Sequence, residues 1–221
     1  MWKKSYPKSW GKLFERYCDK YLSDRKEEIC ERADQEYRKL MTEMPDLGGK
    51  ENSMSENMET WFSMVAFYEA SDRVIDGKAF RIIHGWHIDS LRLLGKFVDA
   101  NKHKWPYKLF DKIYTKYERD VREHQEKGEW MDTWKICINP DQRSEGYSFH
   151  LIGCPIAKHA KEHGYEELLP YLCRTDHVLA EVLHARLIRT QTEALSGNYC
   201  DYWYVGDKSP VLEQYKDLEK I

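Results

Sequence analysis

The sequence predicts an α+β fold in which helices come first and an antiparallel sheet crossed by short helices follows. Two observations carry this. From Trp10 to Val121 apolar residues recur at intervals of three and four, the period of helices with one buried face. After Glu129 that period gives way to short alternating runs separated by Pro, Gly and Asn, the pattern of strands and tight turns. The change divides the chain into a helical region, 1–128, and an α+β region, 129–221, expected to pack as one unit.

The first helix is expected over Trp10–Met41, with Ser9 as its N-cap and Pro45 and Gly48-Gly49 beyond its end. A strongly apolar second helix follows from Met54 to Tyr68; its Met and Trp stripe reads as core. A third runs from Ala79 to Ala100, and a fourth begins at Pro106 and stops before Gly128. The alternating charges of Asp24–Arg38 read as a solvated helix face. Trp134–Ile138 and Tyr147–Ile152 are expected to pair as strands around Asn139-Pro140-Asp141. Helices Pro155–His163 and Pro170–Leu183 come next. A hairpin of Arg186–Ala194 and Tyr199–Val205 then turns at Ser196-Gly197-Asn198, and Ser209-Pro210 opens a short terminal helix.

Composition narrows the function classes. Hydrophobic content of 41% with 33% charged residues is that of a globular chain. A net charge of −3 gives no general field for nucleic acid. No apolar run reaches membrane-spanning length, and Ser5-Tyr6-Pro7-Lys8 interrupts any signal-peptide core. A cytoplasmic location is therefore expected, and with it free thiols rather than disulfides at the six cysteines.

The chemistry concentrates in Phe149–Tyr204. Cys154 closes a strand and precedes Pro155, which suits the first position of a helix. It then sits at the N-cap, where N–H groups and the helix dipole favour an anion and lower a thiol pKa. The competing reading is a small residue packing a strand–helix corner. Cys173 and Asp176 lie three apart on one helix face, which Leu169, Leu172 and Ala180 mark as inward. An inward Asp is costly unless paired or functional. It is either a general acid/base or the holder of a donor such as Arg189. Arg189, expected on a strand, offers a two-pronged grip for a carboxylate, or else is a plain exposed strand residue. Cys200 starts the last strand with Tyr202 and Tyr204 on its face.

Cys154, Cys173 and Cys200, with His150 or His177 as a fourth ligand, would suit zinc. Their spacings of 19 and 27 residues lack the paired Cys-x-x-Cys knuckle, so no cofactor is expected, zinc being the one metal these thiols would take. His84 and His87, three apart on the third helix, read as a packed or solvated surface or as the top of a pocket. Neither His84 nor His87 belongs to a Glu-x-x-His pair, which speaks against a di-iron bundle there.

The order of these motifs resembles the L-2-amino-thiazoline-4-carboxylic acid hydrolase family. The resemblance rests on Cys154-Pro155 opening a helix, then Leu168-x-Pro170-x-x-Cys173-x-x-Asp176, then Arg189-Thr190, a Gly turn, and Cys200-Asp201 followed by an aromatic residue. It covers Trp130–Tyr204, with Ser196-Gly197 in place of a Gly-Gly turn and Tyr202 where Phe is more usual. It implies hydrolytic opening of a cyclic amidine carboxylate by attack of a thiolate or activated water. On this reading Cys154, Asp176, Cys173 and Cys200 are the catalytic candidates, and Arg189, Thr190 and Thr192 bind substrate. The partner is then a small molecule. The alternative is a non-catalytic sensor that holds a metal or small molecule in the same thiol-lined pocket.

Overall fold

A computed structural model describes residues 4–218 and has the expected α+β architecture. Two helices, α1 (Lys8–Tyr21) and α2 (Lys26–Met41), stand where one was expected. Leu22 leaves helical geometry at φ −140°, and a 3-10 turn, Ser23–Arg25, reverses the chain. Ser23 and Asp24 are residues whose side chains compete for backbone partners, which suits them to a break. The reversal lets Phe14 of α1 and Ile29, Ala33 and Tyr37 of α2 reach one core. Helix α1 starts at Lys8 after Pro7, so Ser9 lies inside the first turn and is not the cap. Within the charged face of α2, Asp34 is fully buried, accepting from the Ser5 N–H and from Arg38 Nε.

Helix α3 (Ser55–Ala70) is buried on nearly every side, as a helix apolar all round must be. It forms the centre of the molecule, with Trp61, Phe62 and Phe67 inaccessible. Helix α4 (Gly77–Leu91) ends nine residues earlier than expected. Gly95 follows, where a Cβ would meet the Val182 carbonyl at 2.4 Å, so the chain turns to pass close beneath that backbone. Helix α5 (Trp105–Gln125) has Pro106 in its first turn, and Gly128 past its end at φ +79°.

Strands β1 (Lys135–Ile138) and β2 (Tyr147–Ile152) pair antiparallel as expected. After β2 come α6 (Pro155–His163), α7 (Leu169–Cys173) and α8 (Thr175–Val182). The last two replace a single expected helix, with the junction at Arg174 and a bond from Thr175 Oγ1 to the Leu172 carbonyl. Strands β3 (Ala185–Ile188) and β4 (Cys200–Gly206) complete a sheet of order β1-β2-β4-β3. Cys200, Tyr202 and Tyr204 lie opposite Leu151, Phe149 and Tyr147.

The strand expected to run to Ala194 stops at Ile188. The Asp201 carboxylate takes the N–H groups of Thr190 at 2.9 Å and Gln191 at 2.8 Å, so a side chain replaces the ladder there. The connection then folds into a 3-10 turn, Glu193–Leu195, capped by Thr192, and Ser196 takes the left-handed conformation. Asp201→Ala is expected to cost about 1–2 kcal/mol, because two backbone donors lose their acceptor. Thermal unfolding checks the loss. Hydrogen exchange should show faster exchange at the Thr190 and Gln191 amides, while amides of β2 stay protected.

Candidate active site

The aromatic face of the sheet, with α3, α4, α7 and α8 around it, encloses a cavity of about 530 Å³. Cys154, Cys173, Asp176, Thr192, Cys200, Tyr202 and Tyr204 all line it. The three thiols expected to converge therefore share one space, and β4 presents Cys200, Tyr202 and Tyr204 to it on one face. Phe149 stacks on Tyr202 at 4.7 Å and meets Tyr114 at a tilt of 31°, with centroids 4.5 Å apart, giving the cavity an aromatic wall.

Cys154 occupies the corner between β2 and α6. Gly153 turns the chain at φ +76°, and Cys154 caps α6 with Sγ accepting from the Ala157 N–H at 3.4 Å. The N–H groups of Gly153 and Cys154 both donate to the Glu193 carboxylate, at 2.7 and 2.8 Å. Glu193 thus clips the loop after β3 onto the cysteine corner. Its own N–H reaches Cys200 Sγ at 3.4 Å. Nothing in the sequence pointed to Glu193: its partners lie 39 and 40 residues away, and a lone loop Glu is ordinarily a solvated charge.

The corner was expected to acidify Cys154, and it does not. Burial pushes the thiol up to about 12; the Ala157 N–H lowers it by less than burial raises it, and Cys200 and Glu193 add to the rise. Burial likewise pushes Cys173 up to about 12, against the pull of Arg189, and Asp176, Cys154 and Cys200 raise it further. Cys200 is raised by burial, with the bonds from Thr192 and the Glu193 N–H acting the other way. Iodoacetamide labelling of Cys154 should therefore be slow at neutral pH and rise about ten-fold per pH unit up to pH 10 without levelling. The exposed Cys137 should label first. Peptide mapping across that range is the check, and a plateau for Cys154 near pH 8 would contradict the burial argument.

Asp176 faces the cavity with 34% of its side chain accessible, but protein surrounds it and burial raises its carboxyl pKa. Arg189 and the Tyr202 hydroxyl pull it back. Arg189 Nη1 donates to Asp176 Oδ2 at 2.9 Å, Arg189 Nη2 donates to the Cys173 carbonyl at 2.8 Å, and Tyr202 Oη donates to Asp176 Oδ2 at 3.1 Å. Arg189 is 1% exposed and is not part of the cavity lining. It sits just past the end of β3, not within a strand, and turns inward behind Asp176. Its charge still reaches the cavity, since it lowers the Cys173 and Cys200 thiols.

Thr190 lies outside the lining, with Oγ1 donating to Asp201 at 2.7 Å. Thr192 is inside it, with Oγ1 3.2 Å from Cys200 Sγ. His150 projects from the other side of the sheet to Asp141, at 3.2 Å, and stacks on Tyr199. His177 is buried without joining the lining. His87 lines the cavity beside Trp10, whereas His84 is buried next to it.

Among the described residues, the one trio of potential ligand atoms within 4.8 Å of each other is Glu43, His159 and His163, outside this cavity. His159 Nδ1 accepts from Trp61 Nε1, a group that only donates, at 3.1 Å. Neutral His159 then carries its proton on Nε2 and has no second lone pair for an ion.

These features define an α+β domain with a small-molecule cavity lined by thiols and a carboxylate. The family model of L-2-amino-thiazoline-4-carboxylic acid hydrolase matches residues 54–204, and the chain belongs to that family. The match reaches back to α3, well before Trp130 where the motif resemblance began, and it includes every candidate residue. No curated protein and no solved structure matches the chain. Among the described residues, no helix is long and apolar enough to cross a membrane.

Proposed function

We propose that the protein hydrolyses a small cyclic amidine carboxylate of the 2-amino-thiazoline type in the thiol-lined cavity. One observation carries the reading: Cys154, Cys173, Cys200 and Asp176 line a single cavity within the span that the family model matches. Its size suits a small ring. An amidine is basic and arrives as a cation near neutral pH. The described lining contains no Lys or Arg, and its two acids are Glu56 and Asp176, the latter beside Cys173 on the adjoining helix. The ring's amidinium is therefore the charge this cavity holds, through an ion pair with Asp176. Arg189 is then a positioning residue that fixes Asp176 from behind. Asn57, Thr60 and His87 are the polar side chains of the lining left to hydrogen-bond the substrate carboxylate, clear of the acid Glu56. Thr192 orients Cys200, and Thr190 secures the loop through Asp201.

In the reaction, Cys154 Sγ adds to the amidine carbon and its proton goes to Asp176. Cys173 lines the cavity with both groups. The raised Asp176 pKa suits proton exchange. The ring C–S bond breaks, and the leaving sulfur takes that proton. The whole substrate remains on Cys154 as an isothiourea. Water then adds to the same carbon, the Cys154 sulfur leaves and regains a proton, and an N-carbamoyl thiol acid departs. One water is consumed and one C–S bond is broken. Cys200 and Cys173, neutral at working pH, are donors to the departing sulfur.

Rapid quenching of the protein with 2-amino-thiazoline-4-carboxylate, read by intact mass and peptide mapping, tests this. The expected result is a mass gain equal to the whole substrate on Cys154, followed by release of the N-carbamoyl thiol acid. Turnover without an adduct would replace the thiol by an activated water. Stoichiometric zinc on the thiols with no turnover would make the protein a metal-binding module instead.

A further inference from the structure

Cys154 aims its sulfur into the thiol cavity from a corner that neither neighbouring element holds by itself. Strand β2 ends at Ile152, α6 begins at Pro155, and Gly153 between them stands at φ +76°, a conformation glycine enters without strain. The two N–H groups of this corner are taken by a side chain. Glu193 Oε1 accepts from Gly153 at 2.7 Å, and Glu193 Oε2 accepts from Cys154 at 2.8 Å. One carboxylate oxygen for each of two successive N–H groups is a two-pronged, charge-assisted grip. It fixes the backbone from which the Cys154 side chain springs, and the Ala157 N–H, 3.4 Å away, fixes Sγ itself.

The main chain of Glu193 faces a second thiol. Its N–H donates to Cys200 Sγ at 3.4 Å, and Thr192 Oγ1 stands 3.2 Å from the same sulfur. One residue thus holds Cys154 by its carboxylate and Cys200 by its amide, while its neighbours Thr192 and Ala194 line the cavity. The block that carries it is stiff. Thr192 Oγ1 accepts the Ala194 N–H, and the Thr192 carbonyl accepts those of Leu195 and Gly197, both at 3.0 Å. A Cβ on Gly197 would meet that carbonyl oxygen at 2.9 Å, so the turn closes tightly. Asp201 anchors the upstream end separately, at Thr190 and Gln191.

We propose that Glu193 is a positioning residue: it aims Cys154 Sγ at the substrate carbon and sets Cys200 beside it. The proposal rests on the reading of Cys154 as the nucleophile. Glu193 is not part of the cavity lining, and Asp176 and Arg189, which hold the amidinium, are tied to each other and not to it. Its effect therefore falls on rate and not on affinity. Misplacing a nucleophile by about 1 Å costs about a hundred-fold in rate.

The test uses the full chain with Glu193→Ala and Glu193→Gln. Gln keeps the length and one amide acceptor but loses the charge, whereas Ala loses all three. Rapid quenching with 2-amino-thiazoline-4-carboxylate should show adduct formation on Cys154 slowed by about a hundred-fold in the Ala variant and by less than about ten-fold in the Gln variant. KM should stay within about three-fold of the parent in both. Iodoacetamide labelling without substrate should move the other way. With the corner released, Cys154 of the Ala variant should label at least about five-fold faster relative to the exposed Cys137, and the Gln variant should stay nearer the parent. The melting temperature of the Gln variant should match the parent, because Asp201 still anchors the loop. A parent-like adduct rate in the Ala variant would overturn the proposal. Equal labelling in the two variants would do the same by tracing the effect to charge, as would a loss of rate matched by loss of fold in both. If the parent itself forms no adduct, the nucleophile reading fails, and labelling alone then decides whether Glu193 holds Cys154 in place.

Discussion

Replacing Arg189 with Met should destabilise the folded protein by about 3 kcal/mol. Removing one partner of a buried ion pair generally costs 3–5 kcal/mol, and the low end applies because Asp176 opens onto a cavity rather than packed protein. The substitution also strips the Cys173 carbonyl of its donor and the Tyr202 ring of its cation, 5.2 Å away. The sign of the pH dependence follows from Asp176. Its folded pKa is raised above the unfolded value, so its contribution is present below about pH 4 and is lost as pH rises through the folded value. Without Arg189 nothing but Tyr202 lowers that carboxyl, and its folded pKa climbs further. The deficit of the variant should therefore be small in acid and grow toward neutral pH. Denaturant midpoints at pH 4 and pH 7 measure both. A second change, Asp176→Asn, should return part of the loss. A deficit independent of pH would mean that Arg189 matters for its packing and not its charge.

The second large effect concerns Cys154. Cys154→Ala should lower kcat/KM for the thiazoline carboxylate by on the order of 10³-fold or more, as removal of a covalent nucleophile does. Stability should change by only about 1 kcal/mol, since one small, partly accessible side chain is lost. Cys200→Ala should cost far less activity, because the proposed scheme uses Cys200 only as a donor. In the parent protein the rate should rise with pH as Asp176, the proton acceptor with a raised pKa, ionises, and level once it is a carboxylate. Steady-state kinetics with a melting curve on each variant separate chemistry from folding. Retention of most activity by Cys154→Ala would point to direct attack by water.

Several features of this chain were legible in its residues. The 3.6-residue period located α3 and α5, and Pro155 with Gly164 bounded α6 at both ends. The two-residue period placed Cys200, Tyr202 and Tyr204 on one face, and all three line the cavity. Cys154 at a strand–helix corner needed only the strand run and the proline. The ordered motifs indicated the family. Each of these is a local property, because backbone geometry and side-chain direction repeat over a few residues.

Tertiary structure alone decided the rest. The direction of Arg189 depended on where β3 stops, and that was set by Asp201, twelve residues further on, capturing two backbone amides. The clip of Glu193 onto the Cys154 corner joins residues about 40 apart. The acidity of the thiols turned on a balance that no spacing records: the helix terminus lowers Cys154, but burial within the folded cavity raises it by more. Local periodicity specifies what each segment is. Burial, charge pairing and the ends of strands depend on which segments meet, and that is decided only when the core closes.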